Sequence, residues 1–170
     1  MQYAEFERLI HERAATASKA ARKSFALDTI GRLHDAVESY ILQEFTEPER
    51  LLLREVLSGL ERKPPATLKP KFQELHVRLC RDPIRAVEFT PPISQLLSAI
   101  DSWIGYRTSG DPEHVAQIAI NMVNVVDYAI GGEVAEYSIE NVLGAPSMVA
   151  EYRRQERMLG GGRRSVAGSD

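Results

Sequence analysis

One stretch limits this chain more than any other. From Pro112 to Ile130 the sequence reads PEHVAQIAINMVNVVDYAI, apolar on almost every side of a helical wheel. Its polar residues Gln117, Asn121, Asn124 and Tyr128 follow one another at steps of four, three and four, so they form a single narrow stripe. A helix of that kind exposes too much apolar surface to lie on the outside of a protein. It needs other helices around it. Asp111 supplies an N-cap and Pro112 a first helical residue, and Gly131 and Gly132 mark its expected end. The chain is therefore expected to be all-α, a single-domain bundle of about seven or eight helices with a buried central helix near 112–130.

The rest of the sequence supplies helices to surround it. Phe6, Leu9, Ile10 and Ala14 share one face of a helix over about 3–15. Ala26, Ile30, Leu33, Val37 and Ile41 give a second helix, over about 18–45, a continuous apolar stripe. Thr46, Pro48 and Glu49 open a third, which carries Leu52, Leu53, Val56, Leu57 and Leu60 and stops before Pro64 and Pro65. A fourth covers about 68–81 with Phe72, Leu75, Val77 and Leu79. Residues 82–90 read ambiguously, and Val87, Glu88 and Phe89 fit an extended segment. Thr90, Pro91 and Pro92 start a fifth helix, bearing Ile93, Leu96, Leu97, Ile100, Trp103 and Ile104, which Gly110 closes. Two more are expected over about 133–143 and 146–159. The folded domain is thus read as 1–159, with 160–170 a flexible tail.

Composition fits a globular chain of 170 residues, with 44% hydrophobic and 26% charged residues. The one cysteine, Cys80, has no partner for an internal disulfide, which points to a reducing compartment. The N-terminus shows no apolar run of signal-peptide type, and no segment approaches the ~18 apolar residues of a membrane span. A cytoplasmic protein without a membrane partner is the expectation.

Few residues point to chemistry. The four histidines, His11, His34, His76 and His114, fall in no metal-ligand pattern. Glu7 with His11, and His34 with Glu38, share helix faces, but such pairs are ordinary surface contacts. His76 and Cys80 also share a face, yet no third member completes a nucleophilic site, so Cys80 is expected in the core. The triplet Gly160, Gly161 and Gly162 follows a helix instead of joining a strand to one, so it is no phosphate cradle. Asp101 sits mid-helix, and the face it shares with Ser98 and Ser94 is expected to meet solvent. No cofactor, metal or catalytic residue is expected.

The charge layout says more. Residues 1–107 hold 16 Lys/Arg against 15 Asp/Glu. Residues 108–152 hold seven acids and no Lys or Arg, and residues 153–170 hold five Arg against two acids. Within the acidic stretch Glu133, Glu136 and Glu140 fall on one helical face, with Tyr137 beside them. A solvated helix face would look like this, and so would a docking surface for a basic protein partner. Two basic groups, Arg153, Arg154, Arg157, Arg163 and Arg164, and Lys69, Lys71, Arg78, Arg81 and Arg85, lack the interleaved aromatics that single-stranded nucleic acid would need. They also lack a helix-turn-helix frame, and the net charge of -3 argues against nucleic acid.

Three segments together resemble the YjaG-like helical family of uncharacterised bacterial proteins and the related all-helical immunity proteins of toxin systems. Phe25, Ala26, Arg32 and Leu33 look like that family's second helix. TPPISQLLSAIDSWIGYRTSGDPEHVAQIAINMVNVVDYAIGG is similar to its long helical pair, divided by a Thr-x-Gly-Asp loop. PSMVAEYRRQERML, with Glu151 and Gln155 four residues apart, looks like its last helix. The family's cysteine-rich stretch is missing, with Ser24 and Asp28 standing there instead. The resemblance implies a helical fold and a toxin-neutralising role, with no catalytic residues to carry over.

The expected function is therefore non-enzymatic protein binding. An immunity-type protein would occlude a bacterial toxin through Glu133, Glu136, Tyr137 and Glu140. The alternative is a small-ligand protein or enzyme with a pocket between the helices near 92–108 and 112–130, using Asp101, Asn121 and Asn124. Homo-oligomerisation would show as an exposed apolar stripe.

Overall fold

The computed structural model describes residues 3–81, 90–133 and 144–160. Among these residues there are seven helices and no strand: α1 Tyr3–Thr16, α2 Lys19–Glu44, α3 Glu47–Gly59, α4 Pro65–Leu79, α5 Pro91–Ser109, α6 Glu113–Glu133 and α7 Pro146–Leu159. They form one all-α bundle. The stretch 82–90, ambiguous in sequence, falls outside the described residues except for Thr90. The expected helix over 133–143 lies outside them beyond Glu133, as does the tail beyond Gly160.

α6 is the centre. It packs against α1, α2, α5 and α7, while α5 also rests on α2 and α4, and α3 on α4. Val115, Ala116, Ile118, Ala119, Met122, Val123 and Val125 of α6 are all buried. The stripe expected on α2 is buried throughout, with Phe25 and Thr29 added to it.

Caps fix the corners. Glu49 Oε2 accepts the Thr46 N–H at 2.7 Å at the start of α3, and Arg50 Nη1 donates to the Leu42 and Phe45 carbonyls, satisfying the end of α2. Glu44, at the end of α2, accepts from both the backbone N–H and the hydroxyl of Thr90, and so caps α5 from another helix. Between α5 and α6, Gly110 takes the left-handed conformation (φ 76°) and its N–H reaches Tyr106 O at 2.7 Å, while Asp111 Oδ1 accepts the Glu113 N–H. A Gly110→Ala chain is expected to lose about 1–2 kcal/mol of stability from the strained φ alone. Urea unfolding checks this, and no change would mean that the turn relaxes to another conformation.

Three local expectations are corrected. α4 begins at Pro65, not near residue 68; as the first helical residue Pro65 forfeits no backbone bond, whereas Pro70, inside the helix, gives up the bond its N–H would make to the Ala66 carbonyl. Its core face is Leu68, Phe72, Leu75 and Leu79, and Val77 points to solvent. α6 runs through Gly131 and Gly132 to Glu133. Glycine ends a helix when it turns left-handed, and among the described residues only Gly110 has a positive φ.

Candidate functional site

The polar stripe of α6 is joined to α5. Gln117 Nε2 donates to Asn121 Oδ1 at 3.1 Å, and Asn121 Nδ2 donates to Ser98 Oγ at 3.2 Å. One turn on, Asn124 Nδ2 donates to Gln95 Oε1 at 3.1 Å, and the Tyr3 hydroxyl donates to Asn124 Oδ1 at 2.8 Å. Asn121 is 1% exposed, and both its amide oxygen and its amide nitrogen are hydrogen-bonded to neighbours. Facing polar groups thus close the α5–α6 seam, and the two helices lie close enough that a Cβ on Gly105 would come within 2.6 Å of the His114 ring.

The three residues of the ligand-pocket alternative are separated by this seam. Asn121 lies inside it. Asn124 opens onto a cleft of about 790 Å³ between α2, the start of α5 and the end of α6. Asp101 opens onto a different cleft, of about 760 Å³, between α4 and α5. There Asp101, Ser94 and Ser98 form the exposed polar face expected of them.

Cys80 lines that second cleft too, with its Sγ 3.7 Å from His76 Nδ1. It is exposed, which overturns its expected place in the core. The reason is register: Leu79 completes the buried face of α4, and Cys80 is the C-cap residue one step past it. His11 Nδ1 lies 2.8 Å from Glu113 of α6, and His34 Nδ1 3.7 Å from Asp35. No group of three or more His, Cys, Asp or Glu among the described residues could hold a metal ion.

The first cleft has the more distinctive lining. Tyr40 of α2 faces it, with Pro91, Pro92 and Gln95 from α5 and Asn124 and Tyr128 from α6. Tyr128 is 44% exposed. Asp127 adds a carboxylate, and no Lys or Arg is among the described lining residues. This cleft lies at the end of α6 from which the acidic segment continues. Of the four residues assigned to a partner-binding face, Glu133 is the last residue of α6, while Glu136, Tyr137 and Glu140 lie outside the described residues.

One of the basic residues does not reach the surface. Arg154 is 7% exposed and belongs to the core of α7. Its guanidinium donates to both Glu151 oxygens (2.9 and 2.7 Å), to Asp28 Oδ2 at 2.7 Å and to Thr29 Oγ1 at 2.9 Å, and lies over the Phe25 ring. Gln155 Nε2 completes the cluster, donating to Glu151 Oε1 and to the Ala119 carbonyl. In sequence Arg154 stands with Arg153 and Arg157, which are exposed. The available signal was Glu151 three residues before it, inside the apolar frame of Met148, Tyr152 and Leu159. In the second basic group Lys71 pairs with Glu55 and Arg78 with Glu74, while Arg85 lies outside the described residues. The Lys71 ammonium holds the Glu55 carboxyl below its ordinary pKa by hydrogen bond and charge.

Elsewhere on α7, burial pushes the Tyr152 hydroxyl up to about 12, with Tyr3 and Asp127 adding to the shift. That hydroxyl and Gln155 Oε1 are buried without a hydrogen-bond partner. The four large hydrophobics exposed among the described residues, Leu42, Leu51, Val77 and Tyr128, sit on four different helices and form no stripe along any one of them. No described helix is long and apolar enough to cross a membrane. Comparison with protein-family models, with curated proteins and with solved structures finds no match.

Proposed function

We propose that this is a non-enzymatic protein-binding protein whose acidic C-terminal third engages a basic partner, in the manner of an immunity protein that occludes a bacterial toxin. The observation that carries the reading is the cleft at the end of α6. It presents Tyr40 and Tyr128, and from there a 45-residue stretch without Lys or Arg continues in sequence through Glu133, Glu136 and Glu140. Aromatic side chains offer large contact area at low entropic cost, and an acidic rim speeds encounter with a basic partner and rejects acidic ones. Occlusion needs no catalytic group.

The test is capture of a partner by the tagged chain, with elution in rising salt, repeated with a Glu136→Lys/Glu140→Lys double variant. A single basic protein is expected to be retained by the wild type and released by salt. The charge-reversed chain should bind it at least 100-fold more weakly, because like charges face each other across the interface. Its thermal midpoint should not move. Equal retention by both chains removes the acidic face from the interface. Co-expression of the captured protein then tests the immunity role: it should halt growth alone and not when this chain is present.

A further inference from the structure

The hydrogen-bonding groups of the cleft at the end of α6 narrow what it can hold, a point that rests on the protein-binding reading. Tyr40 of α2 and Tyr128 of α6 border the cleft, and Pro91 and Pro92 of α5 add flat apolar surface. Asn124 Nδ2 donates to Gln95 Oε1 at 3.1 Å, and Asn124 Oδ1 accepts from the Tyr3 hydroxyl at 2.8 Å. Both amide oxygens are therefore in use. Gln95 Nε2 and the hydroxyls of Tyr40 and Tyr128 have no hydrogen-bond partner among the described residues. Each of these three groups can donate. Asp127 lies in the same lining but already has a partner within the protein, so charge does not select the occupant. A fitting ligand brings flat apolar faces and acceptors, and few donors of its own.

We infer that the cleft receives a proline-rich segment of the partner protein in the polyproline II conformation. Its pyrrolidine rings lie on Tyr40 and Tyr128, and its carbonyls accept from the two tyrosine hydroxyls and Gln95 Nε2. Such a segment makes no hydrogen bonds within itself, so its carbonyls are free, and proline has no N–H. It is also stiff before it binds, so little entropy is lost on docking to an aromatic-lined groove. A docked helix has spent its carbonyls internally and would leave the three donors unanswered. An ordinary extended segment brings one N–H per residue, and the amide oxygens of Gln95 and Asn124 that could receive it are taken. The volume of about 790 Å³ accommodates several residues of the segment, within the ~300–1,000 Å³ of ordinary ligand pockets.

The experiment is calorimetric titration of the full chain with two blocked peptides of equal length, each carrying a lysine at both ends. One is nonaproline and the other alternates glycine and serine. The proline peptide is expected to bind, and the glycine–serine peptide roughly ten-fold more weakly or worse. Tyr128→Ala should weaken the proline peptide about ten-fold, and Tyr128→Phe, which keeps the ring and loses the donor, about three-fold. Gln95→Glu keeps an acceptor for Asn124 but sets a carboxylate where the amide donor stood, so it should weaken binding about ten-fold. Because Tyr128 is exposed, the thermal midpoint of both its variants should match the wild type. Equal affinity for the two peptides, or binding indifferent to Tyr128→Ala, overturns the proline site. If that indifferent binding disappears in the Glu136→Lys/Glu140→Lys chain, the acidic surface stands without the cleft. If neither peptide binds, the cleft assignment falls, and partner capture alone then decides the protein-binding reading.

Discussion

Replacing Arg154 by alanine is expected to destabilise the fold by about 3–5 kcal/mol, the usual cost of leaving a buried charge unpaired. The uncompensated group is Glu151, which is 6% exposed and takes two hydrogen bonds from Arg154. Asp28 is not stranded in the same way, since it reaches the surface and Arg32 bonds to it at 3.1 Å. Thr29 would lose its donor, and the Phe25 ring its cation. Arg154→Met combined with Glu151→Leu removes both charges and keeps the volume, so it should recover most of the loss. Urea denaturation of the wild type, the single and the double variant reads the difference directly. A loss below about 1 kcal/mol for the single variant would mean that Glu151 reaches water when its partner is gone.

The second large effect is at Trp103. Trp103→Ala should cost about 3–5 kcal/mol, the range for truncating a buried aromatic. The side chain is 2% exposed, stacks on Tyr106 at 5.6 Å and donates from its indole nitrogen to the Leu60 carbonyl at 2.9 Å. It therefore fastens α5 to the end of α3. Arg107 shares the task, donating to the carbonyls of Leu60 and Lys63 from a position over the indole ring. Trp103→Phe leaves Leu60 with the Arg107 donor and should cost only about 1–2 kcal/mol. Trp103 is the single tryptophan, so far-ultraviolet circular dichroism, not intrinsic fluorescence, must follow these variants. Equal losses for Ala and Phe would place the energy in the indole hydrogen bond instead of in the packing.

These two side chains differ in how far the sequence disclosed them. Trp103 lies within the apolar periodicity of its helix, and so do the stripe of α2 and the apolar surface of α6. Periodicity follows from 3.6 residues per turn, so it shows which face of a helix is buried. It does not show which helix covers that face. Periodicity therefore allows Asp101 and Asn124 a shared pocket, although the pairing of α5 with α6 turns them to different clefts. Asn121 and Ser98 lie 23 positions apart, and only the tertiary contact pairs them. Arg154 was hidden for a related reason. A charge looks solvated in sequence until its partners are known, and Asp28 and Thr29 lie more than 120 residues away. The cleft at the end of α6 was invisible because it joins Tyr40, Pro91 and Tyr128 from three helices.

The meeting of α1 and α7 bears on how the chain is made. Phe6 stacks on Tyr152 with centroids 4.3 Å apart, Arg13 reaches Glu156, and the Arg154 cluster covers Thr29. On the ribosome, α1 and α2 emerge well before α7, with Phe25 and Thr29 lacking its cover, and wait for more than a hundred further residues before α7 can close over them. Contacts of such long sequence separation slow folding and leave apolar surface open in the meantime. A nascent chain stalled short of Pro146 should be cut rapidly by protease within α1 and α2. One extended well past Leu159 should resist, once the exit tunnel has released α7. Equal resistance at both lengths would show that the N-terminal helices find cover before α7 arrives.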